Sequence, residues 1–434
     1  MLNKSFSCYL LISLLIIFSF SACRDTIDDK PALIDTGWYT ANPGAVSFTI
    51  SRANELAGLA FLVNEEHVNF KGKTITLMAN LDLSDYSEGE GWTPIGRYIY
   101  SFEGFFEGND KSISGLFIKR DSIHDGFEYY DGLFGSVDRD AKISNLSVLN
   151  ANIFSINDSV GILVGSAEFN TIINNCKVTG NVIGYNRVGG LAGDLYGIAN
   201  NCSAIVNVGT SGPYGGDGGG GLVGHTMGDL NNCYAAGAVN GFKNAGGLVG
   251  IMHYGSLNNC YAAVEVKSDS WDVGGLVGEM YDNDIGITNC YATGKVSGEQ
   301  YVGGLVGSFE KNSKVENNFA LNPSLNRVDV FFFHDAFGYV AGNSVPGNAL
   351  DTNYVLDGME LPKPIGLFLE GDPGHEPKIN KTYATSRAVY EVDLGWDFGN
   401  DDEHPWKWGG TDYPLPVLYW QKPESYPDLP EHLK

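Results

Sequence analysis

Four carboxylates stand just past copies of one short glycine-rich phrase: Asp194, Asp229, Glu279 and Glu310. The chemistry open to such a set is polysaccharide cleavage. A hydrolase needs two carboxylates about 5–5.5 Å or about 6.5–9.5 Å apart, one to protonate the leaving oxygen and one to attack or to activate water. A lyase needs clustered acids for calcium and an Arg or Lys as base. On a fold of stacked layers these groups stand on neighbouring layers, so they must recur one repeat apart. The corresponding positions of other copies hold Ser136, Ser166, His225 and Met252. So varied a set reads as solvent-facing residues that differ from copy to copy, and no catalytic residue is assigned.

Other chemistries are weaker. The eight histidines are scattered. His404 follows Asp401-Asp402-Glu403 and His375 precedes Glu376, but no His-Glu-Xaa-Xaa-His pair of zinc ligands exists. No Gly-Xaa-Ser-Xaa-Gly elbow stands in a strand–helix setting. Cys176, Cys202, Cys233, Cys260 and Cys290 each follow an Asn. Nucleophiles are not built in multiples, and zinc wants four ligands converging on one point. The five read instead as a ladder of small buried hydrophobes, so no metal and no cofactor are expected. Aromatic residues are the remaining candidates. Tyr234, Tyr261 and Tyr291 share one repeat position. Facing outward they would form a stripe for a glycan or a protein; facing inward they are core, which is the preferred reading. Trp271, Trp406 and Trp408 are separate candidates for sugar stacking.

The positions of all these residues follow from a repeat. The phrase reads Gly189-Gly190-Leu191-Ala192-Gly193, then Gly220-Gly221-Leu222-Val223-Gly224 and Gly246-Gly247-Leu248-Val249-Gly250. It continues as Gly274-Gly275-Leu276-Val277-Gly278 and Gly303-Gly304-Leu305-Val306-Gly307. Weaker copies end at Gly135 and Gly165, and the closing glycines step by 30, 28, 31, 26, 28 and 29 residues. The Asn-Cys pairs run in phase about ten residues behind, closed by Asn318-Phe319-Ala320. A period of this size marks a solenoid, whose units stack because none can bury itself alone. Two glycines per unit would cost a helix about 1 kcal/mol each, whereas short strands with glycine-rich corners suit them. Each repeat is therefore read as one coil of a right-handed parallel β-helix, with about three strands per coil and a spacing of about 4.8 Å between coils. The Leu and Val of the phrase should stack inside, the glycines should serve tight corners or positive φ, and Asn should bond from coil to coil.

These in-phase Gly-Leu-Xaa-Gly copies across 130–310 resemble the GLUG motif of bacterial surface proteins. Adhesin-like proteins of gut-type bacteria and noncatalytic parts of some immunoglobulin-A-cleaving peptidases carry it. The resemblance implies an extracellular β-helix and no single activity.

The amino terminus reads as a processing segment. Lys4 precedes an apolar run from Tyr9 to Phe20, and Phe20-Ser21-Ala22-Cys23 looks like a lipobox. The run is too short and wrongly flanked for a spanning helix. Residues 1–22 are expected to leave as a signal peptide, with lipid on Cys23. The acids after Cys23 are similar to the export signal of Bacteroides-like surface lipoproteins. The expected location is the outer membrane, lipid-anchored and facing outward, with the periplasmic face as the alternative. With 52 acidic against 27 basic residues, a formal charge of −25 argues against nucleic acid as a partner.

Residues 23–37 read as an acidic tether and 38–420 as one β-helical domain. Within it, 38–72 form an amino-terminal cap, 130–320 the regular repeats, and 321–420 irregular coils and a closing cap. Ser51 is the expected cap of a short helix over 51–60. Phe102 and Phe106 read as inward filler, and the segments 121–130 and 209–219 as loops leaving the coil. The aromatic segment ending at Trp420 reads as a plug for the last coil, and 421–434 as a loose tail. Roughly nine to eleven coils fit this length. The functional expectation is a noncatalytic surface lipoprotein for adhesion, binding a glycan or a host or cell-surface protein. The alternatives are a polysaccharide-active lyase or hydrolase, and a structural part of a cell-surface complex.

Overall fold

The computed structural model describes residues 33–121, 130–210, 216–281, 286–309, 313–328, 336–344, 349–362, 376–401 and 403–434. The signal segment, Cys23, most of the tether, Glu310, His375 and the centres of both expected loops lie outside the described residues.

The regular chain is a parallel β-helix of about nine turns. One coil runs through Lys243–Gly246, Val249–Met252, Ser256–Asn258 and Tyr261–Ser268. The next repeats this with Trp271–Gly274, Val277–Met280, Gly286–Thr288 and Tyr291–Ala292. Each such coil thus has at least four short strands where the sequence suggested about three, because an Asn-Cys corner splits the longest side. First strands align in a seven-stranded parallel sheet, second strands in an eight-stranded one, and the rest in a 22-stranded sheet. Val223, Val249, Val277 and Val306 pair directly from coil to coil.

The leucine ladder is real. Leu191, Leu222, Leu248, Leu276 and Leu305 are fully buried, each backbone N–H donating at 2.8–2.9 Å to the equivalent carbonyl of the following coil. Burying a leucine is worth about 1.5–3 kcal/mol, and an unbroken column of them makes the stack cohere. Cys176, Cys202, Cys233, Cys260 and Cys290 form a second interior column, all buried and all free thiols. Asn318 and Asn353 continue it, and Cys290 donates its N–H to Asn318 Oδ1 at 2.8 Å. Phe102 and Phe106 are inward filler, packed 5.5 and 5.3 Å from Phe134.

Of the two expected roles, positive φ is not taken by the phrase glycines, whose φ is ordinary. What they provide is room. A Cβ on Gly224 would stand 2.3 Å from the Arg187 carbonyl carbon, and one on Gly247 would stand 2.1 Å from the Gly275 oxygen. Left-handed backbone falls instead to the asparagine before each cysteine: Asn175, Asn201, Asn232 and Asn259 at φ 54°, and Asn289 at 56°. Asparagine tolerates this region better than other side chains with a Cβ. It also bonds along the stack, with Asn201 Nδ2 donating to Asn175 Oδ1 at 3.1 Å and Asn289 Nδ2 to Asn259 Oδ1 at 3.3 Å.

The amino-terminal end is closed by the helix Ala53–Asn64, whose Leu56, Leu59, Leu62 and Val63 join the core. Its cap lies one residue later than expected. Arg52 is the N-cap, and Glu55 at the third helical position accepts the backbone N–H groups of Arg52 and Ser51 at 3.0 and 2.7 Å.

The carboxyl-terminal segment departs furthest from expectation. It does not plug the last coil, and its tail is not loose. After the turns Lys381–Ala384 and Val389–Asp393 it runs back along the outside of the 22-stranded sheet. Its path is marked by hydrogen bonds: Trp396 Nε1 to Asn317 O at 3.0 Å, Trp406 Nε1 to Asn259 Oδ1 at 3.2 Å, and Trp420 Nε1 to Asn232 O at 3.1 Å. Asn201 Nδ2 donates to Tyr419 Oη at 3.2 Å. Beyond it Gln421 and Leu433 are buried, and His432 Nε2 donates to Leu321 O at 2.7 Å. The physical reason is the apolar face beneath, whose outward tyrosines need cover.

Candidate binding face

Tyr234, Tyr261 and Tyr291 point away from the coil interior yet are fully buried. Their rings stack in register, 5.0 Å apart at 3° and 4.7 Å apart at 1°. The returning segment covers them with Trp396, Trp406, Tyr413, Leu415 and Val417. Burial pushes the Tyr261 and Tyr291 hydroxyls well above the usual phenol range. The three tyrosines and Trp406 are thus a second core and not a ligand stripe. Trp408 is half-buried against Tyr390 and Phe398. Of the six aromatic candidates only Trp271 is exposed, at the start of an inner strand of the seven-stranded sheet.

Three of the acids past the glycine phrase, Asp194, Asp229 and Glu279, are among the described residues. Ladder pairing places Ser136, Ser166, Asp194, His225, Ile251, Glu279 and Ser308 at one position. Met252 and Asp229 belong to other positions, because counting from the phrase missed the alternation of the strand. Asp229 accepts from Ser256 Oγ at 2.7 Å. Asp194 is buried, not solvent-facing. It accepts from Ser159 Oγ, lies 3.5 Å from Arg187 Nη1, and takes His225 Nδ1 at 2.7 Å. Glu279 accepts from Asn244 Nδ2 at 2.8 Å. These carboxylates brace the corner that folds over the closing glycines. His225 Nε2 faces His253 Nδ1 at 3.2 Å, within hydrogen-bond distance. The site where an activated nucleophile would sit on His225 is therefore taken by a second imidazole. Among the described residues no group of three or more His, Cys, Asp or Glu is arranged to hold a metal ion.

A different row is open to solvent. Three residues past each closing glycine stand Glu168, Tyr196, Met227, His253 and Tyr281, so they too repeat once per coil. Rings follow this corner, with buried His225 of the neighbouring position bridging the coil where Met227 stands: Phe169 to Tyr196 at 5.2 Å, Tyr196 to His225 at 5.8 Å, His225 to His253 at 4.8 Å, and His253 to Tyr281 at 5.1 Å. Phe169 is 58% exposed and Tyr281 49%. At the amino-terminal end the row opens into a cleft of about 670 Å³ walled by Tyr98, Phe169, Asn170, Asp138 and Glu168. Burial pushes the Glu168 carboxyl up, opposed by a hydrogen bond from Ser166 and reinforced by Asp138 and Asp194. Burial, with the charge of Asp194, likewise pushes the nearby Tyr130 phenol up to about 12. Sequence reasoning missed this row because neighbouring coils fill it with unlike residues. Aligning the chain on the closing glycines would have found it.

The chain carries the GLUG motif, matched by the model of that family at residues 269–297. It is 33% identical over 192 residues to Halomucin of Haloquadratum walsbyi, covering 42% of this chain and 2% of that protein. It is 30% identical over 167 residues to the "Putative Gly-rich membrane protein" of Evansella cellulosilytica, covering 31% of this chain and 19% of that one. The chain thus spans a small share of either relative's length. A solved Bacteroides ovatus structure, described as a "putative immunoglobulin A1 protease", aligns at 19% identity and a TM-score of 0.43, over 87% of this chain and 93% of that one. Among the described residues no helix is long and apolar enough to cross a membrane.

Proposed function

We propose that this protein is a noncatalytic, surface-exposed lipoprotein that adheres to glycan through the open ring row and the cleft at its end. The observation that carries this reading is the series from Phe169 to Tyr281, with its exposed aromatic rings. An aromatic ring offers a flat apolar face to the C–H face of a sugar, while tyrosine and histidine supply polar edges. A rigid sheet corner holds these groups in place before the ligand arrives, so little ordering entropy is lost on binding. The relatives, named Halomucin and a putative Gly-rich membrane protein, agree with a surface role. Lipid on Cys23 would tether the chain to the outer membrane.

A glycan-array screen of the protein, with and without calcium and with product release followed, tests the proposal. Saturable binding without product is the expected result; a blank array sinks it. Replacing Cys23 with Ala should abolish membrane attachment, and unchanged attachment would refute the anchor. A second reading, polysaccharide cleavage, draws on Glu168, whose raised carboxyl beside Asp138 suits a general acid. Release of reducing or unsaturated sugar that disappears in Glu168→Gln would favour it.

A further inference from the structure

We infer that the ring row takes a linear, uncharged polysaccharide lying parallel to the helix axis, with about one sugar ring per coil. This rests on the glycan reading above and specifies its ligand.

Spacing is the first argument. Tyr196, Met227, His253 and Tyr281 each donate their backbone N–H to the preceding coil, to Ala167, Leu195, Thr226 and Met252, at 2.8–3.0 Å. They are therefore true equivalents, separated by the strand spacing of about 4.8 Å. Successive pyranose rings of an extended glycan repeat at a similar distance. A straight chain laid along this corner can meet one rung after another without bending.

Rigidity is the second argument. His253 is held by His225, which is held in turn by the buried carboxylate of Asp194. The middle of the row is thus anchored by a hydrogen-bonded chain that leads into the protein, and Tyr281 packs on the outer imidazole.

Charge is the third. Glu168 and Asp138 lie at or beside the row, Asp194 beneath it is paired with Arg187 at 3.5 Å, and the protein carries a formal charge of −25. Arg139 and Lys71 line the cleft, but each lies beside an acid, Asp138 at 3.7 Å and Glu103 at 3.5 Å. A uronate or sulfated chain would be repelled, whereas a neutral one meets hydroxyls, imidazoles and ring faces.

The test is titration of the full-length protein with cello-, manno-, xylo- and chito-oligosaccharides of increasing length, from monomer to hexamer. Affinity in at least one series should climb stepwise and level off once the oligomer spans the row. Tyr281→Ala, at an exposed position that leaves the core untouched, should weaken the hexamer about tenfold. The same change should affect a dimer less. Trp271→Ala, on another face, should leave binding unchanged, and polygalacturonate should not compete. Equal affinity for dimer and hexamer, stronger binding of polygalacturonate, or an equal loss in Trp271→Ala would overturn the axial placement while leaving glycan binding intact. Failure of all four series and of polygalacturonate to bind would overturn both.

Discussion

Gln421 Nε2 donates to the Tyr261 hydroxyl at 2.6 Å, joining residues 160 positions apart in the chain. Both are buried, and Gln421 Oε1 also accepts the Leu418 N–H at 2.9 Å. Tyr261→Phe should therefore cost about 1–3 kcal/mol, the price of leaving a buried amide unpaired. Gln421→Leu with Tyr261→Phe should recover part of that loss. Urea denaturation of the two single variants and the double variant measures the coupling; strictly additive losses would contradict it. Removing residues 396–434 should uncover the tyrosine column, raise binding of a hydrophobic dye and promote aggregation.

The corner asparagines make a second test. Asn259 combines φ 54° with bonds from Asn289 and from the Trp406 indole. Asn259→Ala loses both bonds and must hold an alanine in left-handed backbone, at a cost of about 1–2 kcal/mol for the conformation alone. Asn259→Gly loses only the bonds and should be the milder change. Melting temperatures in the reverse order would refute this account.

Space, rather than φ, is what the phrase glycines supply. Gly224→Ala sets a methyl 2.3 Å from the Arg187 carbonyl carbon and should destabilise by at least about 2 kcal/mol. Gly286→Ala, with nothing within 4 Å, is the control and should stay within about 0.5 kcal/mol of the parent. Equal melting temperatures for the two variants would show that the close approach is unimportant.

Asp272 gives a pH dependence. Burial raises its carboxyl from 3.8 to about 6, with a Ser308 hydrogen bond and Lys243 opposing. The folded state therefore holds the proton more tightly than the unfolded chain. Stability from this group is fully present below about pH 4 and is lost as pH rises through 6, a total of ~3 kcal/mol at most. Asp272→Asn keeps a polar side chain tolerant of the left-handed backbone at this position, φ 60°. It should be more stable than the parent at pH 7, and the difference should vanish or reverse near pH 4. A difference independent of pH would rule out this titration.

Much of the rod could be read from sequence because its determinants repeat. Leu222 and Leu248, or Cys233 and Cys260, announce their stacking by recurring in phase. The cover over Tyr261 gave no such signal: its partners Trp406 and Gln421 lie in an aperiodic segment, and only the fold brings them together. The bond between Asp194 and His225 was hidden for a related reason, since equivalent positions hold unlike residues whose complementarity appears only once the register is known. The row from Glu168 to Tyr281 shares that property, being periodic in place but not in residue type. Cys23 and the centre of the expected loop over 121–130 lie outside the described residues.

The returning carboxyl-terminal segment also sets how the rod bears load. A bare stack of coils pulled from its last turn would peel one rung at a time. Here tension on the carboxyl terminus reaches the flank first, at His432 on Leu321 and then at Trp420, Trp406 and Trp396, seated between the coils of Asn232 and Asn317. Those contacts lie along the flank of the stack, so a pull from that end must strip them from the sheet before the last coil can unwind.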